Sequence, residues 1–403
     1  MRTSIVLGLG GTVDYELTWD SRVLESIAAE QGIAAGELDP AIPVVDERSL
    51  VVSILGYLRD GVGGERFVAS PEILDAFAAR FDTRITLGGT CVRAAIAMRS
   101  LGVESLVHLV SIDDHVRRLL PDGVSYVCSA DEDSTDPHLI VQYPAGARIR
   151  VGDTEIVTEH PNRLIYVNDE PNRELVLSDE LDTLVPQARV FLVSGFNTIQ
   201  DEALLEDRLR HTERLLGTLP AGGVSIFEDA GYHEPAFSRR VREVMAPAVS
   251  VYSLNEDELF AYLGHRFDLL DVDAVEGALH DIRALIPTRS LVIHTKYWAL
   301  ALGERAQELA EAVRGGILMA STRYLVGDGQ TAEDYARTAV MEPPVRGVAF
   351  AGELERRFGT WLACRPALVL TTRTPTTIGL GDAFVGGFIA ALARNRVAKT
   401  LPV

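Results

Sequence analysis

The chain has 403 residues, of which 47% are apolar and 24% charged, with 38 basic against 58 acidic side chains. The length points to two or three domains, or to one large domain with an insertion, and the composition is that of an ordinary globular protein. The net charge of −20 argues against duplex DNA and anionic membranes as main partners, because both bind through clustered Lys and Arg.

Residues 4–9 read as a short buried strand running into Gly10 and Gly11. Segments 20–31 and 48–60 carry apolar residues at spacings of three and four, the helical period. Residues 70–81 open on Ser70 and Pro71, an N-cap and a first-turn proline, and continue as an amphipathic helix. Gly88 and Gly89 precede a helix of small residues at 90–101, and Leu106–Val110 is a further buried strand. Residues 123–180 form a β-rich block of short alternating runs broken by Pro, Gly and Asp. From about 188, strands at 190–195, 224–229, 250–255, 290–295 and 367–372 alternate with helices. Those helices fall at about 200–218, 235–245, 255–264, 273–285, 332–340 and 382–394. Buried apolar strands alternating with helices imply a parallel sheet covered on both faces. The expected fold is α/β. A large domain of residues 1–13, 81–122 and 186–403 holds a mostly parallel central sheet, and residues 14–80 and 123–185 form a smaller α+β lid.

Cys91, Cys128 and Cys364 are far apart and form neither a CxxC pattern nor a disulfide framework, which fits a reduced, cytoplasmic setting. The N-terminus lacks the apolar stretch and small-residue cleavage site of a signal peptide, and no run of 18 apolar residues exists to span a membrane. Only Lys296 and Lys399 are lysines, the other 36 basic residues being arginines. No Gly-Lys dipeptide occurs, so there is no Walker-type phosphate loop.

In open α/β sheets ligands gather beyond the carboxyl ends of the strands. The strongest signal there is Thr377-Ile378-Gly379-Leu380-Gly381-Asp382, which opens a helix of small residues. Its two glycines permit tight backbone geometry, and the free N–H groups of a helix start attract an anion. Other strand ends carry Glu228 with Asp229, Asn255 followed by Glu258, and His294.

Gly379-Leu380-Gly381-Asp382 resembles the GLGD motif of the ADP-dependent sugar kinases (ADP-dependent glucokinase and phosphofructokinase), a branch of the ribokinase-like superfamily. Five further segments match in order: Gly88-Gly89, Pro137–Gly146 with its Tyr143-Pro144-Ala145-Gly146 end, Pro161-Asn162-Arg163-Leu164-Ile165, Asn255-Glu256-Asp257-Glu258 and Ile293-His294-Thr295. The resemblance implies a carbohydrate kinase that moves a phosphoryl group from a nucleotide, ADP or alternatively ATP, to a sugar or sugar phosphate hydroxyl. By this likeness Asp382 takes the proton, while Gly379, Gly381 and the turn backbone hold the transferring group. Arg163 clamps phosphate oxygens. Asn255, His294, Ile378 and Leu380 lie by the nucleotide. Glu258 and Glu228 hold Mg²⁺, with Ile226 standing where the family's HxE pattern has His. Asp14, Thr12, Gly88, Gly89 and Thr90 form the acceptor site. There the family's asparagine or glutamine amides are replaced by Gly10, Thr12 and Thr90, so each position loses a group that both donates and accepts.

A dinucleotide-binding reading of Gly8-Leu9-Gly10 fails at Val13, where a third glycine is needed, and no G-x-S-x-G elbow occurs. An ATP-dependent ribokinase-like kinase and a catalytically impaired ligand-binding relative are the alternatives. The state is a monomer or a homodimer.

Overall fold

The computed structural model describes residues 4–372 and 376–400, with side chains up to 394. Among the described residues, nine strands make one large sheet. From one edge these are β16 (Leu362–Pro366), β15 (Trp298–Gly303), β14 (Ser290–His294), β13 (Val251–Asn255), β12 (Val224–Glu228), β11 (Val190–Val193), β1 (Ile5–Leu7), β5 (Ser105–Leu109) and β6 (Val124–Cys128). All pairings from β6 to β14 are parallel, and only β15 and β16 pair antiparallel. A second sheet of five strands runs β3 (Gly64–Phe67), β10 (Asn162–Val167), β7 (His138–Tyr143), β2 (Thr12–Leu17) and β4 (Thr83–Gly88). A ribbon of β8 (Arg148–Val151) and β9 (Thr154–Val157) stands apart from both sheets.

Helices α1 (Ser21–Glu30), α2 (Glu47–Asp60) and α3 (Pro71–Ala78) cover the small sheet. There Leu139, Val141, Leu164 and Tyr166 alternate inward against Ile27, Leu50 and Phe77. Ser70 holds the N-cap position of α3, but its hydroxyl serves Glu72 rather than the helix backbone. The large sheet is covered on one face by α4 (Thr90–Ser100), α5 (Asp114–Leu119), α12 (Ala306–Val326) and α15 (Leu380–Thr400). Short α6 (Glu170–Glu174) and α7 (Leu181–Leu184) lead back to the large sheet. Its other face carries α8 (Glu202–Thr218), α9 (Pro235–Ala248), α10 (Glu256–Leu263), α11 (Val272–Leu285) and α14 (Val345–Phe358), and α13 (Ala332–Ala339) packs on α12. Phe191, Phe227 and Tyr252 point to one apolar layer, and Leu192, Ile226 and Val251 to the other.

The strand–helix alternation expected from sequence is present, with three corrections. Residues 367–372 are not a strand: the strand ends at Pro366, and Val369 is 64% exposed. The strand at 124–128, expected in the smaller part, pairs with β5 in the large sheet, whereas 83–88 belongs to the small one. Finally, β15, α12 and α14 had no sequence reading. Helix α12 is buried nearly all round, so its apolar residues show no one-sided period.

Candidate active site

Helix α15 is held close to two neighbours by glycines. A side chain at Gly386 would meet Ala94 O at 2.7 Å and Ala97 Cβ at 2.8 Å on α4, and one at Gly387 would overlap Gly315 and Met319 on α12. This wedge fixes where α15 begins. Gly379 adopts φ +67° and accepts the first helical bond, from Ala383 N at 2.9 Å. Arg323 of α12 donates from Nε to Ile378 O at 2.8 Å, and Arg93 of α4 lies under Gly379, where a Cβ would come within 2.9 Å of its Cδ. Leu380 and Gly381 form the first turn. Asp382 follows, its side chain 23% exposed.

The small sheet reaches this turn through Arg93. Its Nη2 lies 2.7 Å from Asp14 Oδ2 and 3.6 Å from Glu16, and its Nε is 3.9 Å from Asp382 Oδ2. Burial works against the guanidinium charge, but Asp14, Asp382 and Glu16 raise its pKa above the ordinary arginine value. Thr12 donates to the other Asp14 oxygen at 2.7 Å. Register places Thr12 opposite Gly88 and Asp14 opposite Thr86, and a side chain at Gly88 would overlap Thr12 and Asp14. Gly89, at φ +82°, caps α4, and Thr90 is its first residue. Cys91 is buried just behind, its thiol donating to Gly10 O and its pKa pushed up to about 12 by burial. Arg93 was not singled out in the sequence. The available signal was a charged residue among Cys91, Val92, Ala94, Ala95, Ala97 and Met98, all buried.

An amide does stand beside Gly10, from a residue distant in sequence. The side-chain oxygen of Asn172 occupies the space a Cβ at Gly10 would take, and its Nδ2 donates to Gly11 O at 2.9 Å and Asp169 Oδ2 at 2.7 Å. Asp169 Oδ2 also pairs with His138 Nε2 of β7 at 2.8 Å. Burial alone would lower the His138 pKa, but the Asp169 bond and nearby Asp14 and Glu65 raise it to about 9.

At the strand ends of the large sheet, His294 Nε2 is 2.9 Å from Glu228 Oε1, and its ring stacks on Phe384 of α15 at 4.5 Å. A Cβ at Gly381 would sit 3.5 Å from His294 Cε1, so this histidine underlies the turn. Glu228 Oε2 is buried with no partner among the described residues. Asn255 and Glu258 form a reciprocal cap on α10. Asn255 Oδ1 accepts from the N–H groups of Asp257 and Glu258, and Glu258 Oε2 accepts from Asn255 N. Burial, together with Asp229 and Glu228, pushes the Glu258 carboxyl up to about 8. Asp229 is likewise raised by burial, to about 6, although Tyr252 donates to it at 2.6 Å. Among the described residues no group of three or more His, Cys, Asp or Glu is arranged to hold a metal ion.

The structure thus brings Asp14, Thr12, Gly88 and Asp382 together around Arg93, and joins Glu228 and His294 beneath the GLGD turn. Arg163 stands apart. It is exposed on β10 opposite Gln142 and makes no ion pair among the described residues. Lys296 is also exposed, 3.9 Å from Glu256.

The conserved region of ADP-specific phosphofructokinases and glucokinases matches residues 3–340. The chain belongs to that family. The family comprises phosphotransferases that act on a sugar hydroxyl, and the match ends before the GLGD turn. No curated protein matches the sequence. A phosphofructokinase from Pyrococcus horikoshii OT3 with AMP shares the fold at TM-score 0.79 and 16% identity, over 98% of this chain and 99% of that one. An ADP-dependent kinase in complex with fructose-6-phosphate and ADPβS superposes at TM-score 0.71 with 13% identity, over 98% and 94%. Adenosine kinase from Anopheles gambiae is more distant, at 0.51 and 16% over 98% and 91%. The fold is ribokinase-like, a large mostly parallel sheet covered by helices with a smaller sheet beside it. No helix among the described residues is long and apolar enough to cross a membrane.

Proposed function

We propose that the protein transfers the terminal phosphoryl group of a nucleotide, ADP in the first instance, to a hydroxyl of a sugar or sugar phosphate. The observation that carries this reading is Arg93, which ties Asp14 of the small sheet and Asp382 of the GLGD turn to one guanidinium. An acceptor resting on Asp14 therefore has its hydroxyl beside Asp382. A carboxylate offers about four lone-pair sites, so Asp14 accepts from a substrate hydroxyl while keeping Thr12 and Arg93. Asp382 removes the hydroxyl proton as the oxygen attacks phosphorus. The N–H groups of 379–382 and the α15 dipole stabilise the transferring group, and this reaction depends chiefly on such positioning and charge stabilisation. Asn255, His294, Ile378 and Leu380 border the nucleotide, and Arg163 swings onto its phosphates.

Mg²⁺ fits at Glu228 and Glu258. One Glu228 oxygen is buried with no partner among the described residues, and burial beside Asp229 and Glu228 makes a charged carboxylate at Glu258 costly, a cost that a bound cation would offset. When bound, the ion would offset charge on the phosphates. The small sheet and helices α1–α3 act as a lid. Closing it over the acceptor excludes water, so the phosphoryl group reaches the substrate and not solvent.

The test is purified protein with Mg²⁺, ADP or ATP, and a panel of sugars and sugar phosphates. Transfer with at least one acceptor is expected, falling by about 10²–10⁴ in Asp382→Asn. Absence of transfer with every combination would sink the reading.

A further inference from the structure

The last turn of α12 and the short turn after it cradle the approach to the GLGD turn. Tyr324 O accepts from Thr376 N at 3.1 Å, and Arg323 Nε donates to Ile378 O at 2.8 Å. Gly327, at φ +74°, ends α12 and leads into Asp328. Asp328 Oδ1 takes Arg323 Nη1, and its Oδ2 takes Nη2 of Arg84 from β4, an edge strand of the small sheet. One carboxylate therefore joins the lid edge to the residue that holds the turn. The three side chains differ in exposure: Arg323 is 6% exposed, Asp328 26% and Arg84 59%. The Arg323 contact is built in, and the Arg84 contact is the one free to part. Burial would raise the Asp328 pKa, but Arg323, Arg84 and Arg93 hold it below the ordinary carboxylate value, so both pairs are ionic at neutral pH.

We propose that Asp328 is a positioning residue that ties the seating of the small sheet to the order of the GLGD turn. With β4 in place, Arg84 and Arg323 fix both Asp328 oxygens. The Arg323 guanidinium so oriented holds Ile378 O, the carbonyl immediately before Gly379. When β4 leaves, Asp328 keeps only the Arg323 contact, the fork is less firmly held, and the turn opens more often. The coupling runs both ways, because an ordered turn also presents Asp328 to Arg84. The groups that hold the transferring phosphoryl are then best formed under a seated lid. The purpose of this coupling rests on the phosphoryl-transfer reading, whereas the contacts that carry it do not.

The test is amide hydrogen exchange of the full-length protein, read by mass spectrometry over residues 376–388. Among the described residues Arg84 makes its one ion pair with Asp328. Arg84→Gln should speed exchange over 376–388 about two- to fivefold, the range of an exposed ion pair, while exchange over β12 stays unchanged. Asp328→Asn speeds it further, because Arg323 loses its charged partner. Adding Arg84→Gln to Asp328→Asn gives no additional change, since the two act through one carboxylate. Salt at about 1 M, which screens an exposed pair, speeds exchange in the wild type but not in Arg84→Gln. The proposal is overturned if Arg84→Gln exchanges at the wild-type rate over 376–388, if the two substitutions add, if β12 is speeded equally, or if salt acts alike on both proteins. If Arg84→Gln speeds exchange but the wild type transfers no phosphoryl group to any acceptor, the kinase reading fails and the coupling stands.

Discussion

Replacing Arg93 by Leu removes a cation that three carboxylates share. At an effective dielectric of about 20, its attraction to Asp14 across 2.7 Å is about 6 kcal/mol. Desolvating two ions offsets most of that, so the pair itself contributes little net stability. Deleting one partner differs, because the Asp14 carboxylate stays 5% exposed with only Thr12 to satisfy it. The expected loss is about 3–5 kcal/mol, the usual cost of an uncompensated buried charge. Urea unfolding followed by circular dichroism measures it, and the companion variant Arg93→Leu with Asp14→Asn should recover a large part, since the orphaned charge is gone. Arg93→Lys should fall between, because an ammonium is a point charge and cannot serve Asp14 and Asp382 with separate nitrogens. A loss below about 1 kcal/mol for Arg93→Leu, or a double variant no more stable than the single one, would refute the reasoning.

Gly387→Ala places a methyl group against Gly315 and Met319, so it should cost about 1–3 kcal/mol by urea unfolding and displace the start of α15. The pH dependence of stability separates two histidines. His138 is raised to about 9, so its contribution is complete below pH 6.5 and disappears as pH rises through 9; in His138→Gln the urea midpoint should lose that alkaline decline. His108 is lowered to about 4 by burial, so its contribution is lost as pH falls from 6.5 through 4, and nuclear magnetic resonance of its ring should show titration only in that acid range. If Glu228 and Glu258 hold Mg²⁺, Glu228→Gln should raise the Mg²⁺ concentration for half-maximal activity while changing the free energy of unfolding by less than about 1 kcal/mol.

The parallel strands were legible because each is a short apolar run with a helix behind it, as at Val190–Val193 and Val224–Glu228. The GLGD turn was legible because glycine spacing followed by an acidic residue is a local pattern. Non-local relations were hidden. Residues 367–372 are as apolar as a strand, yet β16 ends at Pro366, although Ala367 N–H still donates to Tyr297 O at 2.9 Å. Loss of an asparagine at position 10 reads as loss of an amide, but Asn172 fills that space from 162 positions further along the chain. Arg93 is one of 36 arginines, and its partners come from β2 and the start of α15, separated by most of the chain.

The buried thiol of Cys91 supplies a clock for the junction between the two sheets. It lies against Gly10, where the chain passes from one sheet to the other, and a pKa near 12 leaves almost no thiolate at neutral pH. Cys364 is sealed within the large sheet, and Cys128 is partly open at its far edge. The rate at which a thiol reagent labels Cys91, compared with these two, therefore times how often the junction parts, with no probe added to the protein.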